Sequence, residues 1–78
     1  MEIILKEELD KKGKVIAYAE GSCSLTGAPY KTAKFKLNDY EHWQDGALIQ
    51  NALHYLSADD REFIQTQISP MGWSQMFG

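Results

Sequence analysis

Small domains are often stabilised by disulfide bonds or by a bound metal ion, and this sequence offers neither a pair of cysteines nor a zinc-binding pattern. Its 78 residues include one cysteine, Cys23, so no disulfide can form within the chain, and a secreted domain this small usually contains several cysteines. Cys23, His42 and His54 lie at no spacing typical of a zinc site. This composition favours a reducing compartment and leaves self-association as the remaining way to stabilise a thin core.

A long apolar run is also missing. Residues 1–8 contain neither a basic region nor an extended apolar stretch, so we predict no signal peptide. No apolar run elsewhere approaches the roughly 20 residues that a membrane-spanning helix needs. Apolar residues make up 44% and charged residues 24% of the chain, close to the average of globular proteins. The sequence therefore predicts one small folded domain over residues 1–78, with no membrane partner.

The sequence lacks the arrangements that catalysis or cofactor binding requires. No histidine lies near Cys23, and the glycines have neither the spacing nor the following helix of a phosphate-binding loop. Asp59, Asp60 and Glu62 lie close together, but carboxylates are common in the first turn of a helix, where the helix dipole stabilises them. We therefore predict no catalytic residue, no metal and no cofactor, and we expect Cys23 to be a small core residue.

Apolar and polar residues alternate in the first half of the chain, over residues 2–9, 14–25 and 30–37. Alternation with period two is typical of half-buried strands. Polar turn residues at 10–13 and 26–29 separate the three segments, and Gly21 inside the second segment indicates a bulge or a bend. The pattern predicts a three-stranded antiparallel β-meander. In its last strand Ala33, Phe35 and Leu37 would face the core, and Thr32, Lys34 and Lys36 would face water.

From residue 38 onward the spacing changes to that of helices. Asn38 followed by Glu41 indicates a capping box and a first helix that ends at Gly46, and an apolar stripe predicts a second helix over 47–56. Ser57 and Ser69 are good N-caps for a third and a fourth helix, the latter with proline at its first position. Strands followed by helices predict an α+β fold with short helices packed on one face of the sheet.

Charge divides unevenly between the two halves of the chain. Residues 38–78 contain six acidic residues and one basic residue, together with more aromatic and methionine side chains than a thin core must hold. Either these large side chains all pack against the core below the sheet, or some are exposed and form a protein-binding surface surrounded by acidic residues. The predicted binding residues are Asp39, Glu41, Asp45, Asp59, Asp60 and Glu62, with Trp43 and Trp73 as anchors.

The first half of the chain offers a second candidate surface. Lysines near aromatic side chains on an open sheet face can bind single-stranded nucleic acid through phosphate contacts and base stacking. The simpler alternative is a solvated sheet face on which lysines deter aggregation. The residues of this alternative site are Tyr30, Lys31, Lys34 and Lys36.

The second half of the chain resembles a known group of proteins. The resemblance lies in residues 45–53, in YLSADDREFI over 55–64, in Ile-Ser-Pro over 68–70, and in Trp73, Met76 and Phe77. These residues resemble the C-terminal half of short uncharacterised proteins of bacteriophages and prophages, in which a variable β-rich part comes first. The resemblance covers a little under half of the chain and implies a small phage-encoded accessory protein made in the cytoplasm of the bacterial host.

Among phage-encoded accessory proteins, small acidic domains commonly inhibit a protein complex of the host, as anti-CRISPR and anti-restriction proteins do. The leading hypothesis is therefore a non-catalytic protein that binds and inhibits a host protein complex, such as a defence nuclease. Two hypotheses from other classes stay open. One is the single-stranded nucleic-acid-binding module described above, and the other is a structural or assembly protein of the virion, for which homo-oligomers would be expected.

Overall fold

The computed structural model describes residues 3–77, and within them a small antiparallel sheet precedes four short helices, so the predicted α+β fold is confirmed. Residue 2, which the predicted first strand included, lies outside the described residues. The strands are β1 (Ile4–Leu9), β2 (Val15–Ser22), β3 (Pro29–Lys31) and β4 (Phe35–Lys36). The helices are α1 (Leu37–Gln44), α2 (Ile49–Ala52), α3 (Ala58–Thr66) and α4 (Pro70–Phe77).

The hairpin of β1 and β2 is closed by a turn that Asp10 organises. The Asp10 carboxylate accepts hydrogen bonds from the amides of Lys12 and Lys14, each at 2.8 Å. Gly13 adopts φ 80°, a conformation that glycine takes without steric cost. Beyond the turn, β1 and β2 pair in register from Leu9 opposite Val15 to Ile4 opposite Glu20. The polar run at 10–13 thus forms the predicted hairpin loop.

The third predicted strand is interrupted, which corrects the predicted placement of its side chains. Lys31 lies opposite Glu20 and Phe35 lies opposite Ala17, so three residues on this side, 32–34, face two residues of β2, 18 and 19. One extra residue of this kind is a bulge. It reverses the alternation: Thr32 is buried and Ala33 is exposed, opposite to the prediction. Of the bulge or bend predicted at Gly21, the bulge is not there, since Gly21 pairs with Tyr30 inside β2.

The helices pack on one face of the sheet, over a pair of alanines. Ala17 and Ala19 of β2 are completely buried, and their small side chains let the helical layer approach the backbone closely. Phe35 joins them from β4. The core is completed by residues of the α2 and α3 region, namely Ile49, Ala52, Leu53, Leu56 and Ile64. The odd-numbered residues of β2 therefore form the inner face of the sheet, and its even-numbered residues form the outer face.

The first two helices differ from their predicted bounds. Helix α1 begins at Leu37, directly after β4, with Lys36 at the N-cap and no side-chain cap, so the capping box predicted at Asn38 is wrong. Pairing of β4 with β2 leaves no linker in which Asn38 could precede the helix. The second helix ends at Ala52, short of residue 56, because the chain turns there and buries both Leu53 and Leu56.

The other two helix starts are confirmed. The Ser57 hydroxyl accepts from the Asp60 amide at 3.1 Å, and the Ser69 hydroxyl accepts from the Gly72 amide at 3.3 Å. Each serine satisfies a backbone donor that has no partner within its helix. These two caps fix where α3 and α4 begin, and therefore which residues meet between them.

Candidate protein-binding surface

Asp60 holds the sheet and helix α3 together from inside the domain. One oxygen of its carboxylate accepts from the Tyr30 hydroxyl at 2.6 Å, and the other accepts from the Ala33 amide at 2.9 Å. Asp60 is 7% exposed. The sequence placed it among residues that contact a partner, and this placement is corrected, because both of its oxygens are already engaged within the fold.

The same contact turns Tyr30 away from the outer face of the sheet. The Tyr30 ring packs on Phe63 of α3 with 4.8 Å between ring centroids, and burial together with the Asp60 carboxylate raises the pKa of the Tyr30 hydroxyl. Tyr30 pairs with Gly21, an odd-numbered residue of β2, and so lies on the inner face. Its predicted role as a base-stacking group on the wet face is therefore also corrected.

The acidic residues of α1 are not equivalent. The Asp39 carboxylate accepts from the Tyr55 hydroxyl at 2.9 Å, and the Tyr55 oxygen in turn accepts from the Lys36 amide at 2.9 Å. Asp39 thus lies beside β4 in a predominantly structural contact. Glu41 and Asp45 are exposed, and they lie one helical turn apart.

Trp43 belongs to the margin of the core. Its ring packs edge-on against Tyr40 at 5.6 Å, and Tyr40 stacks on Phe35 at 5.8 Å. Trp43 is half-buried and contacts the core cluster. The sequence left open whether Trp43 packs against the core or is exposed on a binding surface. Its contacts with the core cluster account for its position.

Helices α3 and α4 enclose a shallow depression that combines acids with an aromatic side chain. Asp59 and Glu62 lie on one face of α3 because they are three residues apart. Trp73 of α4 is half-buried and lies across from them. We name this surface the α3–α4 patch, and it is lined by Ala58, Asp59, Glu62, Pro70 and Trp73.

Pro70 and Ala58 also line the patch, although neither is among the binding residues predicted from the sequence. The signal was present in the spacing, since Pro70 and Trp73 are three residues apart on α4 and so share a face. Met76 lies a further three residues along and is 47% exposed. The patch therefore continues along α4 as an apolar strip beside two carboxylates. The side chain of Phe77 lies outside the described part of the chain.

The loop after β2 positions α4 and therefore Trp73. The Cys23 sulfur accepts from the Ser69 amide at 3.3 Å, and the Gln67 side chain donates to the Ser22 carbonyl at 2.9 Å. Cys23 is buried, as predicted for a core residue. Gly72 packs so closely here that an added Cβ would lie 2.8 Å from the Cys23 sulfur and 2.9 Å from a methyl carbon of Ile68.

We expect Gly72→Ala to move or loosen α4. A Cβ at this position meets the Cys23 sulfur and a β-branched side chain, and neither can swing aside, so overpacking should lower the free energy of unfolding by about 1–3 kcal/mol. Urea unfolding followed by Trp fluorescence measures this change and also reports the surroundings of Trp73. Ser74→Ala on the exposed side of the same helix is the matched control and should change stability by less than about 0.5 kcal/mol. A Gly72→Ala variant as stable as wild type would contradict this packing.

The outer face of the sheet carries lysines that are partly neutralised. Lys34 forms an ion pair with Glu8, which raises the pKa of the Lys34 ammonium, and Lys6 lies 3.6 Å from Glu20. Lys31 lies over the Tyr18 ring at 5.3 Å. Lys31, Lys34 and Lys36 remain exposed. Tyr18, not Tyr30, is the aromatic residue on this face.

Over residues 3–77 the structure contains no group of three or more His, Cys, Asp or Glu residues that could bind a metal ion. Within the same residues no helix has the length and hydropathy needed to cross a membrane. No protein-family model, curated protein or solved structure matches this chain. The resemblance to phage proteins consequently stays a prediction from residues 45–77.

Proposed function

We propose that this chain is a non-catalytic binding protein that attaches to a host protein complex through the α3–α4 patch. In the phage setting implied by the resemblance, binding would inhibit the complex, and a defence nuclease is the target class with the most suitable chemistry. A nuclease must present basic residues to its nucleic acid. The carboxylates of exposed Asp59 and half-buried Glu62 lie beside the indole ring of Trp73. They offer basic residues of a nuclease the negative charge that phosphates normally supply.

The observation that carries the proposal is the position of Trp73 beside Asp59 and Glu62. Aromatic side chains at the centre of an interface contribute much of its binding energy, and neighbouring charges set orientation and partner choice. Asp60 is not part of this surface because its carboxylate is buried. Trp43 contacts the core, and Asp39 is bonded to Tyr55. Of the eight residues predicted from the sequence, Asp59, Glu62 and Trp73 line one depression.

We expect reversal of the patch charges to abolish retention of the partner while leaving the fold intact. The variant is Asp59→Lys with Glu62→Lys, in a tagged protein used to capture proteins from nuclease-treated bacterial lysate. A matched control is Glu41→Lys with Asp45→Lys, which changes the net charge equally on exposed residues of the α1 region. Retained proteins are identified by mass spectrometry, and circular dichroism checks that both variants are folded.

The expected result is one stoichiometric complex on wild type and on the α1 variant, reduced by at least about tenfold on the patch variant, as for loss of an interface hot spot. Equal retention by all three proteins would contradict the α3–α4 patch. Loss with the α1 variant alone would move the interface to Glu41 and Asp45.

A second function is favoured by the lysines around Tyr18 on the outer face of the sheet. Recovery of nucleic acid when nuclease is omitted, with no protein on the beads, would support it over the proposed function. In that case affinity should fall steeply as salt increases, because bound lysines release counterions from the phosphates.

A further inference from the structure

Strand β1 lies at one edge of the sheet. Among residues 3–77 it pairs only with β2, while β3 and β4 pair with the other side of β2. Five of its six residues are exposed, and Leu9 is 69% exposed. An open edge of this kind presents unpaired backbone donors and acceptors that can pair with another strand.

The backbone groups that face the open edge can be assigned from the hairpin. The Asp10 amide donates to the Lys14 carbonyl at 2.8 Å, so this pair is a hydrogen-bonded one. Bonded and non-bonded pairs alternate in an antiparallel ladder, so even-numbered residues of β1 direct their backbone groups to β2. The N–H and C=O groups of Leu5, Glu7 and Leu9 therefore point outward.

The sequence of β1 is complementary to itself when a second copy runs antiparallel with Glu7 opposite Glu7. Leu5 of each copy then lies opposite Leu9 of the other on the inner face. Lys6 of each copy lies opposite Glu8 of the other on the outer face. Glu7 meets Glu7 on the two-fold axis, which is unfavourable. Shifting the second copy by two residues gives Lys6 opposite Lys6 instead and also places Leu5 opposite Glu7. Only the register centred on Glu7 offsets its like-charge pair with two leucine pairs and two pairs of opposite charge.

The ion pairs on the outer face extend this complementarity across the edge. Within one copy Glu20 pairs with Lys6, and Lys34 pairs with Glu8. Joining two copies in this register produces a row of alternating charge: Glu20 and Lys6 of one copy, then Glu8 and Lys34 of the other. The two-fold axis repeats this row, so each copy supplies and receives the same contacts.

We propose that β1 is a dimerisation strand, which pairs antiparallel with β1 of a second copy of this chain and forms one continuous sheet. The alternating charges set the register, and the leucine pairs bury apolar surface that is exposed in the single copy. The interface uses neither α3 nor α4, so it leaves the α3–α4 patch open in both copies.

The test is Glu7→Pro, measured by analytical ultracentrifugation over a concentration series. Proline has no N–H, and the N–H of Glu7 faces the open edge, so the single copy loses no ladder bond. Glu7→Thr is the matched control, since it removes the same charge and keeps the N–H. We expect wild type and Glu7→Thr to dimerise with rising concentration, and Glu7→Pro to raise the dimer Kd by at least about tenfold through the two lost backbone bonds.

A pair of charge variants keeps the test valid if Glu7→Pro does not fold. Lys6→Glu alone places carboxylates opposite each other twice across the edge and should prevent dimerisation. Adding Glu8→Lys restores opposite charges across the edge and should recover dimerisation in part, because the swapped charges then lie beside Glu20 and Lys34 of like sign. A chain that is monomeric at every concentration overturns the proposal, and so does a dimer that Glu7→Pro and Lys6→Glu leave unchanged. Neither result bears on partner capture through the α3–α4 patch.

Discussion

Asp60→Ala should lower the free energy of unfolding by about 2–3 kcal/mol, because it leaves two donors without their acceptor. The Tyr30 hydroxyl and the Ala33 amide both donate to this carboxylate. The loss should also loosen the bulge at 32–34, whose register depends on that amide contact. Urea denaturation of the variant and of wild type gives the difference directly.

Control variants separate the effect of the buried Asp60 carboxylate from that of the exposed Asp59 carboxylate beside it. Asp59→Ala removes an exposed carboxylate from the same helix turn and should cost about 0.5 kcal/mol, through the helix dipole alone. Tyr30→Phe removes one of the two donors and should cost about 1 kcal/mol. The double variant of Asp60→Ala and Tyr30→Phe should lose less unfolding free energy than the two single variants lose together, because the two residues share one hydrogen bond. Equal effects of Asp59→Ala and Asp60→Ala would contradict the structural role of Asp60.

Phe35→Ala is expected to have the largest effect on stability, about 3–5 kcal/mol, because it opens a cavity where β4 meets α1. Phe35 is 2% exposed and stacks on Tyr40 at 5.8 Å. Strand β4 has only two residues, and Phe35 is the one whose side chain is buried in the core. Small domains have little stability in reserve, and the variant should be largely unfolded at room temperature by circular dichroism.

A conservative change at the same position tests whether packing is the cause. Phe35→Leu retains most of the apolar volume and should cost less than about 2 kcal/mol. Leu48→Ala is the control for an exposed site, since Leu48 is 61% exposed, and it should change stability by about 0.5 kcal/mol. A stable, folded Phe35→Ala variant would show that β4 and α1 are held by other contacts.

Local patterns were enough to predict the strands and helices wherever local chemistry decides the structure. The hairpin loop at 10–13 follows from Asp10 and Gly13, whose turn contacts involve neighbours within four residues. The starts of α3 and α4 follow from Ser57 and Ser69, which cap backbone amides three residues away. In each case the interacting groups are close in sequence, so the pattern contains both partners.

Long-range contacts decided the features that the pattern missed. The alternation over 30–37 predicted Thr32 on the wet face, but the bulge buries it, because Asp60 holds the Ala33 amide from 27 residues away. Asn38 has the chemistry of an N-cap, but pairing of β4 with β2 places the N-cap at Lys36, two residues earlier. Neither reason is visible within a window of a few residues.

The candidate site shows the same division between sequence and tertiary structure. By itself, the sequence determined an α+β domain with an acidic, aromatic-rich second half, since composition and periodicity depend only on which residues are present and in what order. Only the tertiary structure decided which acids can meet a partner. Asp60 turns inward and accepts from Tyr30, while Asp59 is exposed and Glu62 is half-buried beside Trp73. Neighbouring carboxylates on one helix differ because a helix turns by about 100° at each residue, and only packing against the sheet determines which direction is the interior.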